Sequence, residues 1–234
     1  MTNKVLIIIP AYNEAESIAG VISAVKKELP DAGIVVINDG SVDATGSIAR
    51  GLGVSVVDMP YNMGIGAAMQ TGYRYAALND YDIAVQVDGD GQHPPDQITY
   101  LISPISEGKA DMVIGSRFLE KGNYHPSLAR NIGIKIFSTV ISLITGQRIT
   151  DTTSGFRAVN KGAIEFFTLN YPDDYPEVEA IALLYKAGFN IMETAVKMKE
   201  RAGGKSSITA LQAVYYMVKV FLSVFIDMLK RVER

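Results

Sequence analysis

Short β-branched runs alternate with helical patterns along the first half of this 234-residue chain. The runs are too short for helices and are typical of buried parallel strands, whereas the segments between them repeat apolar residues at helical spacing. Strands and helices that alternate with short connections form βαβ units, in which helices cover both faces of a parallel sheet. The sequence therefore predicts an α/β fold with a mostly parallel central sheet flanked by helices. The predicted strands are 5–9, 34–37, 54–57, 83–87 and 112–114, and the predicted helices are 17–28, 43–50, 66–78 and 95–106.

Charge and composition exclude several kinds of partner and cofactor. A net charge of −3 and a pI near 5.5 argue against a nucleic-acid partner, because phosphate backbones bind basic surfaces. The absence of cysteine excludes disulfides, thiolate nucleophiles and cysteine-based zinc sites. Two histidines, His93 and His125, are too few for a His-rich metal cage. The chain runs from Met1 into the first predicted strand without the basic region of a secretory signal, so we expect a cytoplasmic protein.

Polar residues follow four of the predicted strands directly. Open parallel sheets bind their ligands at the carboxyl ends of the strands, so these residues are the candidates for a binding site. Three of the four clusters contain carboxylates, and the fourth supplies an arginine. The clusters are Pro10-Ala11-Tyr12-Asn13-Glu14, Asn38-Asp39-Gly40-Ser41, Asp88-Gly89-Asp90-Gly91-Gln92 and Gly115-Ser116-Arg117.

Asp88 and Asp90 flank Gly89 directly after the fourth predicted strand. Two carboxylates this close repel each other unless a cation lies beside them. Carboxylate and amide oxygens select a hard ion such as Mg²⁺ or Mn²⁺, and Gln92 is a further oxygen ligand nearby. The alternative is a solvated turn, since Asp-Gly pairs commonly form turns. The position at the edge of the sheet, beside other acidic clusters, favours the metal site.

The other clusters suit a nucleotide. Tyr12 can lie flat on a base, and Asp39 can accept hydrogen bonds from a base N–H. The alternatives are that Pro10 only ends a strand and that Asp39 only caps the following helix.

Five motifs, in order along the chain, resemble those of the family 2 glycosyltransferases. The similarity covers roughly residues 4 to 207 and is strongest to the polyprenyl-phosphate mannosyl- and glucosyltransferases of the dolichol-phosphate-mannose synthase type. The chain departs from that group in having Gly89 where the dolichol enzymes usually carry alanine, and in lacking the transmembrane helices that many relatives append. The motifs are Ile8-Ile9-Pro10-Ala11-Tyr12-Asn13-Glu14, Asn38-Asp39-Gly40-Ser41, Asp88-Gly89-Asp90-Gly91-Gln92-His93-Pro94-Pro95, Gly115-Ser116-Arg117-Phe118 and Thr153-Ser154-Gly155-Phe156-Arg157.

The resemblance implies a GT-A domain over residues 1–207, inversion at the anomeric carbon, and Mg²⁺ or Mn²⁺ bridging the diphosphate of a UDP- or GDP-sugar. It also implies a role for each matching residue, with Asp88, Asp90, Arg117 and Arg130 as the catalytic set. The implied metal ligands are Asp90 and Gln92, with Asp88 close to the ribose and the metal; the nucleoside contacts are Pro10, Tyr12, Glu14, Asp39 and Asp88; and the contacts to the acceptor phosphate are Ser116, Arg117 and Arg130.

The leaving diphosphate needs positive charge, and Arg201 and Lys205 in the glycine-containing loop 200–207 are candidates for a lid that supplies it. The alternative for this loop is a simple linker. A polyprenyl phosphate is already anionic and needs no general base, whereas a hydroxyl acceptor would need one, for which Glu177 and Glu179 are candidates. We favour the phosphate, because guanidinium groups such as that of Arg117 bind phosphate well. A non-catalytic module that binds nucleotide-sugars is the third possibility.

Residues 208–234 are predicted to form a separate amphipathic helix. It is interrupted by Lys219 and Asp227, so it suits a position in the membrane interface better than one across the bilayer. With the apolar helix 131–145 it would place the protein peripherally on the cytoplasmic face of a membrane. Packing in the core or in a homo-oligomer, and docking on a small membrane anchor protein, are the alternatives. The apolar residues are Leu211, Val214, Tyr215, Val218, Phe221, Leu222, Phe225 and Leu229 in the C-terminal helix, and Ile132, Ile136, Phe137, Val140 and Ile144 in the other.

Overall fold

The structure, a computed structural model, describes residues 3–120, 128–173, 176–198 and 219–226. Its strands are β1 (Val5–Ala11), β2 (Gly33–Asn38), β3 (Ser55–Asp58), β4 (Ile83–Gln86), β5 (Met112–Ser116), β6 (Arg157–Asn160) and β7 (Ile191–Ala195). Its helices are α1 (Ile18–Glu28), α2 (Thr45–Gly51), α3 (Ile65–Leu78), α4 (Ile98–Ser106), α5 (Leu128–Thr145), α6 (Lys161–Asn170) and α7 (Pro176–Lys186). A 3₁₀ turn, Pro95–Gln97, leads into α4, where the sequence predicted one continuous helix.

The strands form one seven-stranded sheet in the order β3-β2-β1-β4-β6-β5-β7. β6 is antiparallel to β4 and β5, and the other neighbouring pairs are parallel. The prediction of an α/β fold with a mostly parallel sheet is therefore confirmed.

Alternate residues of β1 face two helical layers. Ile7 and Ile9 pack with α1, α2 and α4 in one core, whereas Leu6 and Ile8 pack with α3, α5, α6 and α7 in the other. All four side chains are fully buried, which explains the continuous apolar run in the sequence. α3 approaches β1 closely because Gly72 has no side chain, since a Cβ added there would lie 2.4 Å from Ile8 Cγ2.

β6, β7, α6 and α7 were not predicted from the sequence. β6 contains only four residues and begins with Arg157, so it lacks the apolar run of a buried strand. Because it is antiparallel, its first residue lies toward the carboxyl ends of its neighbours: Arg157 pairs with Gln86, the last residue of β4, and with Ile114 in β5. The segment that precedes β6 is thereby delivered to the carboxyl edge of the parallel strands.

Residues 219–226 are helical and pack on the domain through one side. Val220 and Val224 are buried in the same core as Phe137 and Ile141 of α5. Phe137 is thus a core residue and not, as predicted, part of an outer apolar surface. The large apolar residues of the segment are exposed: Phe221, Leu222, Phe225 and Ile226. Within the described residues, no helix combines the length and the apolar character that crossing a membrane requires.

Candidate active site

The loops after β1 and β2 are tied together by hydrogen bonds. Asn13 N donates to Ser41 Oγ (3.0 Å), and Val42 N donates to Asn13 Oδ1 (3.0 Å). Glu14 N donates to Thr45 Oγ1 (2.8 Å), so α2 begins against the end of β1. Asn13 has a φ of 55°, a left-handed conformation that asparagine tolerates better than most residues. The two predicted nucleoside-binding segments therefore form one surface.

Tyr12 lies on this surface with 46% of its area exposed, open to a stacking partner. Pro10 is buried within β1 and so does not end the strand.

Asp39 is buried, and its carboxylate accepts hydrogen bonds from Met63 N (2.8 Å) and Gly64 N (2.9 Å), just before α3. Asp39 therefore does not cap α2, the next helix along the chain, and instead holds the two residues that precede α3. Each carboxylate oxygen retains a second acceptor position, so the nucleoside contact stays a prediction.

Asp88 lies just beyond the end of β4, and its carboxylate is held from two sides. Gln86 Nε2 donates to Asp88 Oδ1 (3.1 Å), and His93 Nε2 lies 3.4 Å from Asp88 Oδ2. Asp88 N donates to His93 Nδ1 (2.9 Å), which closes the turn 88–93 on itself. The carboxylate remains partly exposed, while Gln86 and His93 are buried beneath it.

His93 belongs to the third family motif, but no role was predicted for it from the sequence. The ring is 5% exposed and stacks on Phe156, with centroids 4.9 Å apart and planes 26° from parallel. Burial lowers the pKa of His93, although the nearby charges of Asp88 and Asp90 act in the opposite direction. The ring is therefore neutral at physiological pH. The signal in the sequence was the place of His93 in that motif, five residues after Asp88.

Two glycines, Gly155 and Gly89, allow close packing around the turn that carries Asp88. A Cβ added at Gly155 would lie 2.8 Å from Gln86 Nε2 and 3.4 Å from both carboxylate oxygens of Asp88. Gly155 thus packs directly against the carboxylate. At Gly89 the added Cβ would lie 3.2 Å from Pro10 O and 3.5 Å from Glu14 Cγ, which a small shift relieves.

Asp90 and Gln92 share the turn with Asp88 and are also partly exposed. Gln92 N donates to Asp90 Oδ1 (3.0 Å), so the two predicted metal ligands are held side by side. The described residues contain no group of three or more histidine, cysteine, aspartate or glutamate side chains placed to hold a metal ion. Two carboxylates and one amide oxygen fit Mg²⁺ or Mn²⁺, which complete their shells with water and substrate phosphates. The donor set therefore suits the predicted ion, and the ligand assignment stays a prediction.

Arg117 is held by a buried carboxylate. Its Nε and Nη2 donate to Asp151 Oδ2 and Oδ1, both at 2.7 Å, and Nη2 also donates to Thr153 Oγ1 (2.9 Å). Asp151 is fully buried and Arg117 is 9% exposed. Glu193 from β7 in turn accepts from Thr150 N (2.8 Å) and Asp151 N (2.7 Å). Burial raises the pKa of Glu193, although these hydrogen bonds act against that shift. Arg117, Asp151 and Glu193 form a brace that fixes the segment before β6.

Arg157 fixes the other end of this segment. Its Nε donates to Ser154 O (2.6 Å), and its Nη2 donates to Glu177 O (2.7 Å) in the first turn of α7. Glu177 is partly buried, and burial raises the pKa of its carboxyl group, with the charge of Asp88 adding to the increase. Glu179, the other candidate base, is only 4% exposed. Of the two, Glu177 is the better placed to meet a substrate.

The remaining predicted residues are placed less directly. Ser116 is 1% exposed, and its hydroxyl is 2.7 Å from that of Thr150, whose backbone N–H donates to Glu193 of the brace. Its contact with an acceptor phosphate stays a prediction. Arg130 lies in the first turn of α5, after the segment that follows Arg117. Arg201 and Lys205 lie outside the described residues.

Comparison with known proteins identifies the family of the chain. The sequence profile of Glycosyl transferase family 2 matches residues 6–167. The chain is 31% identical over 229 residues to polyprenol monophosphomannose synthase of Mycolicibacterium smegmatis, covering 94% of this chain and 86% of that protein. It is also 31% identical over 218 residues to UDP-N-acetylglucosamine–dolichyl-phosphate N-acetylglucosaminyltransferase of Methanococcus voltae, covering 84% and 86%.

A solved structure shares the fold. Glucosyl-3-phosphoglycerate synthase of Mycobacterium tuberculosis, in complex with Mn²⁺, uridine diphosphate and phosphoglyceric acid, has a TM-score of 0.72 to this chain at 18% identity. The match covers 96% of this chain and 78% of that one. The predicted GT-A fold is thereby confirmed.

The brace gives a prediction about stability. Asp151→Asn removes the charge that compensates buried Arg117, so we expect the free energy of unfolding to fall by about 3 kcal/mol. Asp80→Asn is the matched control, because Asp80 pairs with Lys161 at the exposed surface, where an ion pair adds little. Thermal unfolding of both variants checks this. Equal midpoints for the two would show that the Arg117–Asp151 pair does not hold the segment.

Proposed function

The chain belongs to glycosyl transferase family 2, and we propose that it moves a sugar from a nucleoside-diphosphate donor to a polyprenyl phosphate, with a divalent ion and with inversion at the anomeric carbon. The observation that carries this proposal is the turn Asp88-Gly89-Asp90 at the carboxyl edge of the sheet, with the Asp88 carboxylate held from below by Gln86 and His93. The relatives named above act on lipid phosphates, as their names state.

The donor would lie across the ends of β1, β2 and β4. Tyr12 offers its exposed ring to the base, and Asp39 offers its remaining acceptor positions to a base N–H. Pro10 and Glu14 lie next to Gly89, in the turn that carries Asp88. Asp90 and Gln92 would hold Mg²⁺ or Mn²⁺ against the diphosphate. When bound, the ion neutralises the negative charge that develops on the leaving diphosphate.

The acceptor would approach from the side of β5, where Arg117 is fixed by Asp151. A phosphate oxygen of the acceptor attacks the anomeric carbon, a new carbon–oxygen bond forms, and the bond to the β-phosphate breaks with its electron pair on the nucleoside diphosphate. A phosphate monoester is a dianion above its second pKa of about 6, so no proton has to be removed. Arg117 and Arg130 are the cations proposed to hold it, with Ser116 beside them.

A hydroxyl acceptor is the competing reaction, and Glu177 is the residue that would serve it. Its raised pKa and its electrostatic interaction with Asp88 suit a general base near the reacting atoms. The two acceptors therefore differ in their need for this carboxylate.

The substitution Glu177→Gln distinguishes the phosphate acceptor from the hydroxyl acceptor. Its backbone contact to Arg157 is retained, because that contact uses the carbonyl oxygen. With polyprenyl phosphate as acceptor we expect kcat to change by no more than about twofold, whereas loss of a general base costs about a hundredfold to ten-thousandfold. Transfer of radiolabelled sugar to polyprenyl phosphate and to the unphosphorylated polyprenol, with UDP- and GDP-sugars in parallel, is the measurement. Transfer to the polyprenol alone, abolished by Glu177→Gln, would overturn the phosphate acceptor, and donor binding without any transfer would indicate a non-catalytic module.

The exposed apolar side chains at 219–226 supply a surface for the membrane in which such an acceptor is anchored. Phe221 and Phe225 are 49% and 56% exposed on the outer side of this helix, and Leu143 of α5 is 79% exposed. An amphipathic helix that presents its apolar side outward is typical of proteins that bind at the lipid interface. We propose that this side contacts the membrane, which would place the protein peripherally on the cytoplasmic face.

Removing two of these rings should weaken membrane binding. About half of each phenylalanine side chain is exposed and would be buried in the membrane. Phe221→Ser with Phe225→Ser should therefore weaken the free energy of membrane binding by about 2 kcal/mol, roughly thirtyfold in the vesicle partition coefficient. Leu78→Ser is the control, because Leu78 is 85% exposed at the end of α3, away from the carboxyl edge. Co-sedimentation with anionic vesicles measures both. If the double variant binds vesicles normally but a wild-type dimer becomes monomeric, the surface belongs to an oligomer interface.

A further inference from the structure

His93 contacts both the backbone and the side chain of the same aspartate. Its Nδ1 accepts the backbone N–H of Asp88 (2.9 Å), and its Nε2 lies 3.4 Å from Asp88 Oδ2. A ring nitrogen that accepts an N–H bears no proton, so the ring proton is on Nε2, the nitrogen that lies 3.4 Å from Asp88 Oδ2. One side chain therefore fixes the turn and also places an N–H group near the carboxylate in that turn.

The ring is itself immobilised by the segment before β6. It is 5% exposed and stacks on Phe156, whose neighbour Gly155 packs against the same carboxylate. Gln86 Nε2 donates to the other oxygen of Asp88 from the end of β4. The carboxylate thus has one neutral donor near each oxygen, and its orientation is limited without its charge being cancelled.

We propose that His93 is a positioning residue that holds the Asp88 carboxylate in the orientation required by the metal–diphosphate site. The inference rests on the proposed function, since it assumes that Asp88 faces the bound ion and nucleotide. Buried groups that orient a metal site in this way typically change metal affinity by about tenfold to a hundredfold when they are replaced. A lysine or arginine in the same place would neutralise the carboxylate and oppose cation binding, whereas a neutral imidazole does not.

Two substitutions separate the two contacts of the ring. His93→Asn places an amide oxygen where Nδ1 lies and removes the donor at Nε2. His93→Gln extends an amide N–H toward the position of Nε2 and removes the acceptor at Nδ1. The Mn²⁺ concentration for half-maximal nucleotide binding, measured by EPR of free Mn²⁺ with UDP and with GDP, is compared with the thermal unfolding midpoint of each variant.

We expect the two variants to differ in their Mn²⁺ requirement. Both lose the stacking on Phe156 and should unfold below the wild-type temperature, but folded His93→Asn should require about tenfold more Mn²⁺, whereas folded His93→Gln should require Mn²⁺ within about threefold of wild type. Wild-type Mn²⁺ dependence in folded His93→Asn, or a tenfold loss in folded His93→Gln, would overturn the positioning role. If the wild-type protein itself shows no Mn²⁺-dependent binding of UDP or GDP, the proposed function fails instead.

Discussion

The reversal of one strand determines how this site is built. β6 runs antiparallel between β4 and β5, so its first residue lies at the edge where the parallel strands end. Residues 150–156 therefore arrive beside Asp88, and Gly155 packs against its carboxylate. With a parallel strand in this place, the same segment would lie at the opposite edge of the sheet. The brace of Arg117, Asp151 and Glu193 and the contacts of Arg157 both serve to fix this segment.

Charges are arranged differently in the brace of Arg117, Asp151 and Glu193 and in the turn that carries Asp88 and Asp90. Asp151 is buried and is matched by a guanidinium, as a buried carboxylate must be, and the half-buried Glu193 is matched by backbone N–H groups. Among the residues that the structure describes, Asp88 is contacted by the amide of Gln86 and the imidazole of His93, and it remains partly exposed, in the same turn as Asp90. The brace is suited to holding the backbone in place. The turn offers the negative charge that a divalent cation requires.

The sequence predicted most of the fold that supports the donor site but little of what supports the acceptor side. Strands β1 to β5 are short apolar or β-branched runs, four of which are followed by polar clusters, and such runs can be recognised in the sequence alone. β6 begins with the buried Arg157, whose N–H groups are accepted by the carbonyls of Thr152, Ser154 and Glu177, and those partners are brought together by tertiary structure. The same limit applies to His93 and Asp151, whose contacts with Asp88 and Arg117 depend on geometry that spacing alone does not give. The outward orientation of Phe221 likewise follows from Val220 and Val224 packing inward, which helical periodicity does not distinguish.

The most direct test is transfer of labelled sugar from UDP- and GDP-sugars to polyprenyl phosphate, with Mn²⁺, with excess EDTA, and with Mn²⁺ restored. The account predicts that EDTA stops turnover, that Mn²⁺ restores it, and that Asp90→Ala is inactive at an unchanged unfolding temperature. Asp96→Ala, which changes an exposed carboxylate in the following 3₁₀ turn, should be as active as wild type. Full turnover in excess EDTA, or in Asp90→Ala, would contradict the assignment of the Asp88–Gln92 turn as the metal and diphosphate site.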